Sequence, residues 1–173
     1  IFLTSKLHNG DFDNDAGLTG GGATNADGDP MGEADQFCTV DPDYPGSGTY
    51  RALIVDGVNR RGSLNPDAGD GRINWAFTSL YEYYRQGDST AIFTANANAI
   101  LPFGSLSAEF TSGAAFYWTG LNVDWTTSAD DCTNWSGTIS SGQTGDGGST
   151  GSASISNGPT VCSASHRLLC VEQ

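Results

Sequence analysis

Cys132-Thr133-Asn134-Trp135-Ser136-Gly137 opens the final quarter of the chain, Cys162 follows a Gly/Ser-rich run, and Arg167-Leu168-Leu169-Cys170-Val171-Glu172-Gln173 closes it. With Cys38 these make four cysteines, three of them crowded into the last quarter. An even cysteine count in so acidic a chain reads as disulfide staples formed in an oxidising compartment, so the expected location is secreted or cell-surface. No two cysteines stand at Cys-x-x-Cys spacing, which argues against a thiolate metal site. Four cysteines permit three pairings, and spacing does not choose among them.

Working outward, 173 residues of which 37% are hydrophobic and 10% aromatic suit one domain, residues 1–173, with one real core. The 24 glycines favour strands and loops over a helical bundle. Seven Lys+Arg stand against 20 Asp+Glu, a net charge of -13. Nucleic acid, heparin-like polyanions and anionic membranes would meet a repulsive field and are expected non-partners. Asp supplies 16 of the 20 acids. A short carboxylate suits turns and divalent-cation loops, where its oxygens sit close to the backbone, whereas Glu belongs on helix surfaces. No apolar run approaches the roughly 20 residues of a membrane-spanning helix, and no basic n-region with an apolar core opens the chain. For an exported protein the expectation is a signal peptide already removed from this numbering.

Ile1-Phe2-Leu3-Thr4-Ser5 reads as a short strand, and residues 9–35 as a long acidic loop dense in Asp, Asn and Gly. Glu33 to Val40 predicts one or two helical turns carrying Cys38, and Thr49 to Val55 is the best strand, expected central and buried. Trp75, Leu80, Tyr81 and Tyr84 fit a helix face, while Tyr83 to Phe93 also fits a β-hairpin. Ala115 to Leu121 and His166 to Val171 are further strands. Residues 136–159 between them read as a Gly/Ser/Thr-rich loop with only Ile139 and Ile155 to bury.

Two runs carry candidate metal ligands: Asp11, Asp13 and Asp15, then Asn25, Asp27 and Asp29. Calcium takes about six to eight oxygens at about 2.3–2.6 Å, and alternating acids in a glycine-rich turn supply several. Neither run completes an EF-hand, since Ala16 holds the sixth position of the first, and Gly22 and Gln36 the twelfth positions. Two readings stand side by side: structural calcium, or a solvated acidic loop. No catalytic motif accompanies the only histidines, His8 and His166, so the chain is expected not to be an enzyme. His8 is either a transition-metal ligand or a solvent-exposed or hydrogen-bonded histidine, and Arg60-Arg61, the one basic pair, is read as a local salt-bridge partner.

Trp118-Thr119-Gly120-Leu121 resembles the Trp-x-Gly-Leu strand of C-type lectin-like domains. Gly32 to Cys38, Gly48 to Leu53, Cys132 to Trp135, Cys162 and Leu168 to Glu172 resemble the cysteine-bearing segments of endostatin, the C-terminal domain of a collagen. Ile1 to Ser5, Tyr50 to Arg61, Tyr117 to Thr127 and the final Leu-Leu-Cys-Val-Glu-Gln are similar to the bacterial endostatin-like proteins of leptospiral surfaces. Residues 11–30 depart from that pattern as an acidic insertion. The resemblance implies an α+β fold: a single C-type lectin-like domain with mostly antiparallel strands, one or two short helices, long loops and two nested disulfides, Cys38–Cys170 outside Cys132–Cys162.

The resemblance also implies a non-catalytic adhesin that binds host matrix or plasma proteins through its loops. Two alternatives are a calcium-dependent glycan-binding module and a self-assembling subunit of a surface layer or filament. The sugar-coordinating Glu-Pro-Asn, Gln-Pro-Asp and Trp-Asn-Asp motifs of calcium-dependent lectins are missing from the sequence. Asp124, Trp125, Asp130 and Asp131 are the candidate ligand contacts, with Trp125 and Trp135 either stacking on a ligand or buried beside a disulfide. Endostatin's heparin binding depends on arginine clusters and is not expected here.

Overall fold

Leu53-Ile54-Val55 and Leu168-Leu169-Cys170-Val171 are unbroken apolar runs, fully buried. Side chains alternate along an extended chain. Leu53, Val55, Leu169 and Val171 therefore enter one core, and Ala52, Ile54, Leu168 and Cys170 another. The first core gathers Trp75, Phe77, Tyr83, Phe93, Tyr117 and Trp125; the second gathers Phe2, Phe12, Phe37, Trp118, Trp135 and all four cysteines.

The computed structural model describes residues 1–14 and 29–173. Its elements are β1 (Phe2–Leu3), a 3₁₀ turn (Phe12–Asn14), α1 (Pro30–Val40), β2 (Tyr50–Ala52), β3 (Glu82–Tyr84), β4 (Ala91–Thr94), β5 (Phe116–Trp118), β6 (Ser141–Asp146), β7 (Gly158–Val161) and β8 (Leu169–Glu172), with a further 3₁₀ turn at Ser152–Ser154. The sheets run β1-β8-β2, β3-β4 and β5-β6-β7, and every pair of these strands is antiparallel. The chain is thus α+β and mostly antiparallel, and β3-β4 settles the helix-or-hairpin ambiguity as a hairpin. No helix among the described residues is long and apolar enough to cross a membrane.

Helix α1 starts at Pro30, three residues before the expected Glu33. Asp29 caps it by accepting from the Gly32 N–H at 3.1 Å, and Pro30 sits where no N–H is needed. Met31, Ala34, Phe37 and Cys38 recur at helical spacing and face the second core. The helix stops where Asp41, extended at ψ 143°, precedes Pro42.

Two expectations are corrected. β2 is not central: β8 lies between β1 and β2, and α1 closes the outer edge of β2, where Asp35 Oδ1 accepts the Ala52 N–H at 2.8 Å. Residues 136–159 are not simply a loop, because they hold β6, the middle strand of its sheet, and the start of β7. β6 carries small side chains because β5 across from it is Phe116-Tyr117-Trp118. A Cβ on Gly142 would stand 2.8 Å from the Trp118 ring, and one on Gly145 would stand 2.9 Å from the Tyr117 ring. Ile155 is buried as expected, but Ile139 is 99% exposed.

The disulfides pair Cys38–Cys170 and Cys132–Cys162, the nesting that the endostatin resemblance implied, with sequence separations of 132 and 30. The outer bridge ties α1 to β8. In the chain-entropy model the two closures contribute about 5 and about 3.5 kcal/mol by restricting the unfolded chain. The inner bridge anchors an unusual element, a left-handed helical turn over Cys132–Trp135 with φ of 53°, 60°, 57° and 62°. L-residues enter this region at roughly 1–2 kcal/mol each. The Asp131 carboxylate holds the turn by accepting the Asn134 N–H at 3.1 Å, and the buried Trp135 indole donates to Val55 O at 2.8 Å.

Candidate recognition surface

The preference for Asp over Glu finds its use in turns. Asp56 Oδ1 accepts the backbone N–H groups of Val58, Asn59 and Arg60 at 3.0, 2.8 and 2.8 Å. Asp70 does the same for Leu64 and Asn65 at 3.1 and 2.9 Å, and its Oδ2 takes the Asn65 amide at 2.7 Å. The backbone and side-chain donors of Asn65, with the Leu64 N–H, hold the Asp70 carboxyl down to about 2. Asp124 accepts from the Thr126 N–H and hydroxyl at 3.1 and 2.5 Å. A carboxylate one carbon from the backbone can close such a turn, whereas Glu reaches past it.

These turns build one face from two loops, 56–73 and 121–131. The Asp67 N–H donates to Asp124 O at 2.9 Å, Ser63 bridges Thr126, and Arg61 and Ile73 exchange backbone bonds at 3.0 and 3.1 Å. Three apolar side chains stand out of this hydrogen-bonded frame: Val58 at 66%, Leu64 at 58% and Val123 at 53% exposure. Loops held this way present side chains without having to order them on binding, which lowers the entropic cost of recognition.

The four predicted ligand contacts fall in or beside this face with different roles. Asp124 is the turn-former just described. Trp125 is corrected to a core residue: at φ +69° its indole turns inward, donates to Leu101 O at 3.0 Å and stacks on Phe103 with 5.4 Å between centroids. Trp135 is likewise buried, stacked on Phe12 at 5.5 Å, so neither indole offers a platform to a sugar. Asp130 accepts from the Ser141 hydroxyl and Asp131 caps the left-handed turn, so both serve the scaffold.

Of the predicted metal ligands, Asp15, Asn25 and Asp27 lie outside the described residues. Asp11 takes the Asn14 amide at 3.0 and 3.2 Å, and its backbone bridges Ser136. Asp13 follows in the 3₁₀ turn, and Asp29 is the helix cap. Among the described residues no group of three or more His, Cys, Asp or Glu is placed to hold a metal ion. His8 and His166 exchange backbone bonds at 2.7 and 2.9 Å. The buried His8 ring lies against Phe37 with 3.9 Å between centroids, and His166 meets the Trp118 edge at 4.6 Å, its burial lowering its pKa.

Sequence reasoning gave Arg60 a salt-bridge role but neither its partner, distant in sequence, nor its burial. Its side chain is fully buried, grips the Asp35 carboxylate with both terminal nitrogens at 2.8 and 2.7 Å, and donates to Ala52 O at 2.8 Å. The ion pair spans 25 residues and joins the base of the loop face to α1. Arg61 donates to Gly71 O at 2.8 Å through Nε and to Gly57 O at 3.4 Å through Nη1, bracing the loop from within.

The DUF1554 family, described as "Protein of unknown function", matches residues 21–155. The chain belongs to this family. No curated protein and no solved structure matches it. The DUF1554 stretch takes in both loops of the face, together with Cys38 and Cys132, while their partners Cys170 and Cys162 lie beyond it. Each disulfide therefore ties the family segment to the C-terminal strands.

Proposed function

We propose that this domain is a non-catalytic recognition module of C-type lectin-like, endostatin-like architecture, working outside the cytoplasm and binding a protein of the extracellular matrix or plasma through the 56–73 and 121–131 loops. The observation that carries the reading is the loop face itself: exposed Val58, Leu64 and Val123 on backbone fixed by Asp56, Asp70 and Asp124. The nested bridges and the use of Trp118-Thr119-Gly120-Leu121 support the architecture. The Trp118 indole donates to His8 O at 2.7 Å, and Thr119 O accepts the Val55 N–H at 2.8 Å, so this motif sews the sheets together. Both histidines are packed among aromatic rings, which supports a role without acid–base chemistry.

Surface plasmon resonance over immobilised matrix and plasma proteins tests the reading. The triple variant Val58→Ser, Leu64→Ser, Val123→Ser should bind at least tenfold more weakly than the parent with an unchanged melting temperature. Undiminished binding by that variant contradicts the assignment of this face.

A further inference from the structure

Cys132, Thr133, Asn134 and Trp135 are four consecutive L-residues in the left-handed region. Thr133, at φ +60°, is the costliest of them, because its branched Cβ crowds the backbone there. Three pins hold the turn: the Cys132–Cys162 bridge at its first residue, the Asp131 carboxylate, and the Trp135 indole on Val55 O. No residue of α1 or β8, which carry the outer bridge, has a positive φ. Cutting the inner bridge therefore lets a strained element relax, and cutting the outer one does not. The N-terminal segment is docked on the same assembly. The Gly10 N–H donates to Cys162 O at 2.8 Å, Asp11 bridges Ser136, and the buried Phe12 stacks on Trp135. Gly10 and Gly142 press on the Cys132 sulfur so closely that a Cβ at either would collide with it. The Cys162 sulfur instead lies 3.6 Å from the hydroxyl of Ser140, an exposed residue.

We propose that the Cys132–Cys162 bridge is a redox latch, opened by a dithiol while Cys38–Cys170 stays closed. A thiolate of the dithiol attacks the Cys162 sulfur, the one that no glycine backbone shields, and the bond to Cys132 breaks. Cys132 leaves as a thiolate and takes up a proton, and the dithiol is held to Cys162 as a mixed disulfide. Its second thiol resolves that link, so the dithiol ends as a disulfide and the protein gains two electrons and two protons as two thiols. Strained bridges are the more readily reduced, because opening releases the strain. Here the release lets the left-handed turn unwind, which breaks the Phe12–Trp135 stack and the Asp11–Ser136 bridge and frees residues 10–14. The outer bridge keeps α1 on β8, so the domain stays folded. The latch does not depend on the loop face binding a partner.

The test is a graded reduction of the whole folded chain with dithiothreitol, a dithiol, followed by acid quenching, alkylation of free thiols and mass mapping. Cys132 and Cys162 should become alkylated at a concentration at least tenfold below that needed for Cys38 and Cys170. In step with that opening, amide hydrogen exchange should rise over residues 8–14 and 131–137 and stay low in α1 and β8. Thr133→Gly, an exposed substitution, removes the crowding at positive φ and leaves the sulfurs in place. It should therefore raise the concentration that opens the inner bridge at least threefold, whereas a bridge labile through access alone would open as in the parent. The latch is overturned if the outer bridge opens first or together with the inner one, if the inner one opens without faster exchange at residues 8–14, or if Thr133→Gly opens like the parent.

Discussion

Arg60 shows how far a single residue can depart from its local sequence. Beside Arg61 it reads as a local salt-bridge partner; in the fold it is a buried cation matched to Asp35, 25 residues away, and to two backbone carbonyls. No spacing rule links residues 25 apart, so the pairing was visible in charge sign and invisible in place. Breaking a buried pair from one side leaves a carboxylate without its counter-charge. Arg60→Met should cost roughly 3 kcal/mol in urea unfolding, and Arg60→Met with Asp35→Asn should recover part of it. Asp41 gives a second residue-level expectation. Burial pushes its pKa up, but the N–H groups of Ser5, Asp43 and Lys6 and the Ser5 hydroxyl outweigh that and set it below the ordinary value. A depressed carboxylate pKa stabilises the fold above the unfolded value and loses that effect as pH falls through the folded one. The stability gap between the parent and Asp41→Asn, measured in urea, should therefore shrink as pH drops below about 4, and a gap constant to about pH 2 contradicts it.

At the scale of elements, β6 marks the limit of pattern reading. Ser-Gly-Gln-Thr-Gly-Asp has no apolar alternation because its neighbours supply the bulk, Trp118 and Tyr117 filling the space its side chains leave. Gly142→Ala would put a methyl group against the Cys132 sulfur and the Trp118 ring. Such overpacking costs about 1–3 kcal/mol and should lower the melting temperature by about 2–4 °C per kcal/mol, whereas Gly151→Ala, with only Ser149 Oγ near at 3.9 Å, should be close to neutral. The end strands and most of α1 were legible because their apolar residues lie within the element, whereas the hairpin stayed one of two readings until β3 and β4 were seen to pair. The position of β2 in its sheet was not legible, since its apolar run marks burial on both faces and says nothing of which strand lies beside it. In the 121–131 loop Asp124, read as a candidate ligand contact, closes a turn on Thr126, and Trp125, read as either a contact or a buried ring, is turned into the core at φ +69°, a choice the sequence leaves open because an indole near an Asp reads alike either way.

For the whole molecule, two bridges carry the DUF1554 segment onto the C-terminal strands, and the loops between them are fixed by carboxylate turns. Cysteine count and charge pointed to disulfides, and the endostatin resemblance supplied the architecture and the pairing that arithmetic left open. Function was less legible, because a recognition face is defined by which apolar side chains remain outside, and exposure is a property of the assembled fold. The central claim is that the 56–73 and 121–131 loops are a preformed contact surface. Hydrogen–deuterium exchange of the intact domain, free and bound to the matrix or plasma protein that captures it best, reads this directly. The account predicts loops already slow to exchange when free, protected further on binding, with little change on the β5-β6-β7 sheet; fast-exchanging free loops, or protection confined to other segments, would contradict it.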